Sequence, residues 1–329
     1  MQTISHKRIL IAPLDWGMGH ATRCIQLIRK LQKQGAEVLV AVPKTLETRL
    51  RQSLSNVQYI PLKGYDIRYH QGIPVWLSVL VQGFKIRRAI RDEHRWIVKH
   101  ADLLKLDQII SDNRYGLWHP SVSSILITHQ LQPIAPFGGG IARAFVRRIM
   151  RGLMKNFNEI HVPDYADSRR LSGKLSTPFE GLPPVTYIGP LSRFERAAPE
   201  EMVPNTLLAI LSGPEPHYSR FYKQMKQKAQ HEGFVFRALG WKIPEQAVRA
   251  DVLLNLSDEQ FAVEVARAEK IVCAAGFSTL CDLHALGREA ELFPTPGQTE
   301  QEYLAKRQFV KRTSEPKTTG RACFPQSRS

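Results

Sequence analysis

The stretch from Ile271 to Ala305, IVCAAGFSTLCDLHALGREAELFPTPGQTEQEYLA, decides how the rest of the chain is read. Ile271-Val272-Cys273 is a short apolar run suited to a buried strand, and Gly276 stands where the backbone turns into a helix. Leu280, Leu283 and Leu286 give that helix an apolar face, and Gly287 ends it. Ser278 and Thr279 fall at its start. Free N–H groups, two hydroxyls and a glycine there make a phosphate cradle that needs no metal. Asp282 lies one turn beyond Ser278 on the same face, where a carboxylate suits ribose hydroxyls. A second strand, Ala290 to Phe293, carries Thr295-Pro296-Gly297-Gln298 to the same sheet edge, where amides suit sugar hydroxyls. The whole is a strand–helix–strand unit of an α/β protein with a nucleotide at its strand ends.

The same pattern recurs outward from it. Arg8 to Leu14 is a β-branched apolar strand, followed by Asp15-Trp16-Gly17-Met18-Gly19-His20, a helix from Ala21 to Gln34 and a strand from Glu37 to Pro43. A dinucleotide fingerprint fails here: Thr22 holds its third glycine position, and no acid closes the second strand. No P-loop sequence occurs. His20, just after Gly17 and Gly19, is placed to touch a diphosphate or take a proton from an acceptor hydroxyl, or else it caps its own helix. Further strands are expected at Val57–Leu62, Asp107–Asn113, Ser124–Gln130, Glu159–Pro163 and Thr186–Gly189. Two of these end in Ser111-Asp112-Asn113 and Thr128-His129-Gln130, at the edge where parallel sheets bind ligands. Asp112, Asn113, His129 and Gln130 are thus acceptor-side candidates, and the general base is His20 or Asp112.

The order Cys273-x-x-Gly276-x-x-Thr279-x-x-Asp282, then Phe293-Pro294-x-x-x-Gln298-x-x-Gln301, resembles the donor-binding segment of the family 28 glycosyltransferases, the peptidoglycan-type N-acetylglucosaminyltransferases. Gly17-x-Gly19-His20-x-x-Arg23 resembles the cleft-facing N-terminal glycine loop of that family and of its relatives acting on lipid acceptors. The family has Glu where this chain has Asp282. The resemblance covers residues 7 to 305 and implies an α/β fold of GT-B type, two Rossmann-like domains with a nucleotide-sugar cleft between them. It implies a first domain over residues 1–195 on the acceptor and membrane side, and a donor domain over 196–305. Ser212-Gly213 then corresponds to a second glycine loop beside the donor phosphates, Leu256 and Ser257 to the uracil edge, and Gln301 to the sugar side. The implied reaction is metal-independent transfer of N-acetylglucosamine from its UDP-sugar to a membrane-associated or lipid-linked acceptor, with inversion; no cofactor is needed beyond the UDP-sugar co-substrate. A nucleotide-sugar 2-epimerase is the alternative on the same architecture. Where the family continues with a helix crossing back to the first domain, residues 306–329 form a basic, Pro/Ser/Thr-bearing tail, expected to be disordered.

A length of 329 residues is long enough for two domains, and 43% hydrophobic with 23% charged residues is the composition of a soluble globular protein. The net charge is +16, and residues 1–200 hold 29 Lys and Arg against 15 Asp and Glu, whereas 201–329 hold 17 against 15. An anionic partner for the first half follows, nucleic acid or an acidic membrane. No basic motif interleaved with aromatics favours nucleic acid. Two segments suit a membrane interface instead: residues 73–100, which start apolar and turn basic at Lys85, Arg87, Arg88 and Arg91, and Ile141–Phe157, which sets Phe145, Ile149 and Met154 beside five basic residues and no acid. No run approaches the roughly 20 apolar residues of a membrane span, and no signal-peptide core opens the chain. The expected location is cytoplasmic, peripheral on the inner face of the cell membrane. Four cysteines without C-x-x-C spacing indicate neither disulfides nor a zinc site, and no Asp-x-Asp occurs.

Overall fold

A computed structural model describes residues 6–15, 18–67, 75–135, 138–194, 200–254 and 256–314. Two parallel sheets hold the strands. The first comprises β1 (Arg8–Pro13), β2 (Glu37–Val42), β3 (Gln58–Pro61), β4 (Gln108–Asp112), β5 (Ser123–Ile127), β6 (Glu159–Val162) and β7 (Val185–Tyr187), in the order β3-β2-β1-β4-β5-β6-β7. The second comprises β8 (Val203–Ile210), β9 (Val235–Gly240), β10 (Val252–Leu254), β11 (Ala268–Ala274) and β12 (Glu291–Phe293), in the order β10-β9-β8-β11-β12. Each strand expected from the sequence is present, with ends displaced by a few residues. The connecting helices are α1 (Met18–Lys33), α2 (Lys44–Ser53), α3 (Val75–Val81), α4 (Gly83–His100), α5 (Gly139–Met154), α6 (His217–Glu232), α7 (Asp258–Arg267), α8 (Phe277–Ala285) and α9 (Thr299–Ser314).

The continuous apolar runs of the central strands follow from burial on both faces. Ile9 and Ile11 of β1, with Val38, Val40 and Val42 of β2, pack on α1 and α2, while Leu10, Ala12, Leu39 and Ala41 point the other way, toward Ile97 of α4. β8 alternates in the same way, with Leu208 and Ile210 in one cluster and Leu207 and Ala209 in the other. In both sheets the strand order reverses beside the first strand, between β1 and β4 and between β8 and β11. A crevice opens at the carboxyl ends of strands at such a reversal.

The sequence reading is corrected at several places. The helical region expected over 73–100 is two helices, parted at Gln82, and its first residues, Ile73 and Pro74, lie outside the described ones. Asn113 and Thr128–Gln130 are not strand: β4 and β5 stop at Asp112 and Ile127, and the polar triplets occupy the turns that follow. Met154 does not face outward but is fully buried with Met150 in the core under α5. The tail does not begin at Lys306, because α9 runs on to Ser314 and crosses to the first sheet's side. There the Tyr303 hydroxyl accepts from the Lys174 N–H at 2.9 Å, Arg307 donates to the Arg170 carbonyl at 2.8 Å, and Leu304 is buried against Leu171 and Leu175. Residues 315–329, and the proposed boundary at residues 195–196, lie outside the described residues.

Candidate active site

At the first sheet's reversal, His20 occupies the first turn of α1 with its Nδ1 at 3.2 Å from both oxygens of Asp112, the last residue of β4. Arg23 follows one turn later on the same helix face. Its Nε donates to Asp112 Oδ2 at 2.9 Å and its Nη2 donates to Oδ1, and the Cys24 thiol points to Oδ2 at 3.5 Å. Asp112 is completely buried and Arg23 nearly so. Burial alone would raise the Asp112 pKa, but the charges of Arg23 and His20 outweigh it and hold the carboxyl well below the usual range. An ionised Asp112 only accepts hydrogen bonds, so the His20 proton sits on Nδ1. Burial, with Arg23 adding to it, lowers the His20 pKa from its ordinary 6.5, so the imidazole is neutral near pH 7 and Nε2 keeps its lone pair.

The network continues along the edge. Arg23 Nη1 lies 3.5 Å from His129 Nδ1, and a guanidinium can only donate, so the His129 proton is on Nε2, which donates to Glu300 Oε1 at 2.7 Å. The His129 ring stacks on Phe277, the first residue of α8, at 4.0 Å. Gln130 Nε2 donates to the other Glu300 oxygen at 2.5 Å. Burial pushes the Glu300 carboxyl up, and His129 pulls it back below the ordinary value. Asn113 has a left-handed backbone, φ 56°, and a buried amide oxygen without a partner among the described residues. His129 and Gln130 thus meet the second half of the molecule directly, while Gly17 lies outside the described residues.

On the second sheet's edge, Gly276 caps α8 in an extended conformation, and among the described residues no side-chain cap takes up the N–H groups of the first turn. A Cβ at Gly19 would stand 2.9 Å from Ser278 Oγ, so the missing side chain is what lets the N-terminal ends of α1 and α8 meet. Two positive helix ends at one point favour an anion. Thr279 lies beside Gly276 in the same turn. Asp282 is one turn further, its Oδ1 accepting from Ser192 Oγ at 2.7 Å and its Oδ2 3.7 Å from Arg193. Burial raises its pKa, opposed by Arg193. Both Ser192 and Arg193 belong to the segment joining the two sheets.

The remaining expected donor residues are more dispersed. Gly213 takes φ 87° after Ser212, and Glu215 is bound to Ser219 at 2.8 Å and to Lys242. Ser257 is committed to a capping box at the start of α7: its Oγ accepts from Gln260 N–H and its own N–H donates to Gln260 Oε1. Leu256 packs against the core beside it. Neither polar group of that cap is free in this arrangement to read a base edge. Gln301 uses its amide oxygen to accept from Thr295 N–H at 2.8 Å, holding the loop whose Gln298 precedes α9.

Sequence reasoning assigned no role to Arg23 or Glu300 and did not pick out Ser192 or Arg193. The signal for Arg23 was its place three residues after His20 on one helix. Nothing in the sequence pairs Glu300 with His129, since 171 positions separate them. Among the described residues, no group of three or more His, Cys, Asp or Glu side chains is arranged to hold a metal ion.

No family model and no curated protein sequence matches the chain. Solved structures do match it. Phytolacca americana UGT2, complexed with UDP-2fluoro-glucose and pterostilbene, superposes with a TM-score of 0.59 at 15% identity over 91% of this chain and 82% of its own. The spinosyn rhamnosyltransferase SpnG gives 0.59 at 15% identity over 92% and 84%, and the Streptomyces sp. SF2575 glycosyltransferase SsfS6 gives 0.57 at 13% over 92% and 86%. The chain has the GT-B fold. At these identities the likeness is one of fold, and the GT-B cleft is where the two helix ends and the His20–Asp112 pair face each other.

Proposed function

We propose that the chain is an inverting, UDP-sugar-dependent glycosyltransferase with His20 as its general base. One observation carries the reading: a neutral histidine backed by a buried carboxylate stands at one sheet edge, against an uncapped helix N-terminus on the other, in contact through Gly19 and Ser278. That solved structures of this fold contain UDP or a UDP-sugar supports the donor class.

In this reading the acceptor hydroxyl gives its proton to His20 Nε2 while its oxygen forms a bond to the anomeric carbon. The bond from that carbon to the β-phosphate oxygen of UDP breaks on the opposite face, which inverts the centre. Asp112 stabilises the imidazolium and fixes its tautomer, and being wholly buried it acts through His20 and not on the acceptor. The amides of the first turn of α8 and the hydroxyls of Ser278 and Thr279 meet the charge of the departing UDP, which leaves no step for a metal ion. Asp282 holds ribose hydroxyls, sharing its carboxylate with Ser192, and Gln298 and Gln301 lie on the sugar side. The sugar is N-acetylglucosamine, a choice resting on the motif from Gly276 to Gln301.

The acceptor is membrane-associated or lipid-linked. Two exposed faces of the first half support this: Leu80, Val81 and Phe84 beside Arg87, Arg88 and Arg91 on α3 and α4, and Ile141, Phe145 and Ile149 beside the arginines of α5. No helix among the described residues is long and apolar enough to cross a membrane, so the attachment is peripheral, to an anionic surface on the cytoplasmic side. Hydrolysis of a panel of nucleotide sugars by wild type and by His20→Ala tests the reading. Turnover is expected with UDP-N-acetylglucosamine and a fall of about 10²- to 10⁴-fold in kcat in the variant, with UDP affinity nearly kept. Absence of UDP binding by calorimetry would refute it.

A further inference from the structure

α5 carries a feature that a diffuse membrane-facing charge does not require. Arg143, Arg147, Arg148 and Arg151, with Gly140 and Ala144, line an open groove of about 430 Å³. Spacings of four residues put Arg143, Arg147 and Arg151 on one band of the helix, and Arg148, three residues before Arg151, stands beside it toward the apolar stripe of Ile141, Phe145 and Ile149. Among the described residues none of the four has an ion pair, and the first turn of α5 holds no acid and no side-chain cap. Like charges at this spacing repel, and the helix N-terminus adds to the same positive field.

Two of the four are also fixed in place. Arg147 Nε donates to Gln132 Oε1 at 2.9 Å. Gln132 is itself immobilised: its amide donates to the Thr177 carbonyl at 2.7 Å and its N–H to the Leu175 carbonyl at 2.8 Å. Arg151 donates to the Glu180 carbonyl at 2.9 Å and lies along Gly181, where a Cβ would stand 2.6 Å from its Nε. Phe179 lies under both guanidinium groups, at 5.6 and 6.0 Å from its centroid. Arginines that served only as mobile surface charge would need none of these anchors. Each anchor takes one donor from one edge of the guanidinium and leaves the rest of the fork for a ligand.

We propose that this groove is a discrete phosphoryl-binding site, taking a phosphomonoester or diphosphate through arginine forks. Gln132 ties it to the cleft, standing two residues after Gln130, which bonds to Glu300. The phosphoryl group belongs either to a bilayer headgroup or to a free or substrate-borne diphosphate. The inference sharpens the membrane part of the proposed function, and the two fail separately, because the donor site is assayed by UDP and this groove is not.

The test is calorimetric titration of inorganic pyrophosphate into the full chain saturated with UDP, and flotation with phosphatidylcholine vesicles carrying phosphatidic acid or, separately, phosphatidylglycerol. The decisive variant is Arg147→Lys with Arg151→Lys, which keeps the charge and removes the forks; Gln132→Met removes one anchor and no charge. A built site predicts pyrophosphate binding weakened about tenfold or more by the double lysine variant and several-fold by Gln132→Met, with UDP affinity unchanged. If pyrophosphate does not bind but phosphatidic acid vesicles do, with the same loss in the lysine variant, the site takes a lipid headgroup and the proposal stands. Equal binding by wild type and lysine variant in every arm, or no binding in any, overturns it: the arginines would then be a charged surface only.

Discussion

Two buried arginine–carboxylate pairs bracket the carboxyl end of β4, and they do different things. In one, Arg23 grips Asp112; in the other, Arg114 donates to Glu93 at 2.7 Å. Both arginines and both carboxylates are almost wholly removed from solvent. Each carboxylate takes a third donor from a side chain, the His20 ring at 3.2 Å or the Tyr65 hydroxyl at 2.9 Å. The Glu93 pair is closed. Gly116 N–H donates to Glu93 at 3.1 Å, Arg114 donates to the Lys63 carbonyl at 2.6 Å and reaches the Pro13 carbonyl at 3.5 Å, and Tyr65 is itself buried. The Asp112 pair ends in a histidine whose second nitrogen has no hydrogen-bond partner among the described residues. Burial drives Glu93 up from its ordinary value, whereas at Asp112 the same burial is overridden by Arg23 and His20. A buried charge pair is therefore not in itself a sign of chemistry. In the proposed reading that sign is a member reaching the cleft with a lone pair to spare, as His20 does.

Opening the pair proposed to act in catalysis has the largest expected effect. Asp112→Asn removes the charge that holds Arg23 and puts an NH2 donor where one of two acceptors stood, so that the His20 tautomer is no longer fixed. It should lower kcat by about 10³- to 10⁴-fold and, by stranding Arg23, cost about 3–5 kcal/mol in stability. Asp112 raises the His20 pKa against burial, so the acidic limb of the rate profile, already below 6.5 in wild type, should move further down in the variant. An upward move would mean that His20 is not the titrating base. Arg114→Met is the matched cut in the closed pair: about 3–5 kcal/mol lost on chemical denaturation, with kcat and its pH profile kept. A rate loss of the Asp112→Asn kind there would erase the distinction between the pairs.

The two pairs also mark how far the sequence could be read. Strands were legible because both-face burial makes them unbroken apolar runs, as in RILIAP and EVLVAV. His20 and Asp112 were legible because each ends a strand or follows a glycine turn. That Asp112 ends a strand at the same edge and could orient His20 or be the base itself was readable as well; which of the two it does was not, since 92 positions separate them and only the sheet order brings β1 beside β4. α9 escaped notice because its described side chains are mostly polar: Leu304 is fully buried, and contacts with the first half run through Thr299, Glu300, Tyr303 and Arg307. Helical periodicity is a signal of apolar faces, and a helix docked by hydrogen bonds gives little of it. α2 hides for the same reason, burying only Leu46 and Leu50.

A smaller effect belongs to the donor side. Asp282→Ala deletes a carboxylate that touches the connecting segment through Ser192, and in the proposed complex also the ribose. UDP affinity should fall by about 1.5–3 kcal/mol, the worth of a charged hydrogen bond, with the fold kept. Calorimetry with UDP checks it, and an unchanged affinity would confine Asp282 to holding the segment between the sheets.

The smallest effect sharpens the comparison most, because it removes the closed pair's counterpart of His20. Tyr65→Phe deletes one hydroxyl, leaves the ring in its packing, and takes from Glu93 a donor that favours its ionised form. The loss should be about 1–2 kcal/mol at neutral pH. Its pH dependence has a fixed sign. The Tyr65 bond lowers the Glu93 pKa, so without it that pKa, already raised by burial, rises further. A carboxyl whose folded pKa is raised loses stability as pH climbs above its unfolded value, and the variant loses more than the wild type. The stability gap between them should hence be small near about pH 4 and widen by about pH 7.5. Denaturant unfolding at both values measures it, alongside kcat at the higher one. A gap that is equal at both, or a kcat that falls as it does for His20→Ala, would show that the two third partners are alike and that the closed pair is part of the reacting site after all.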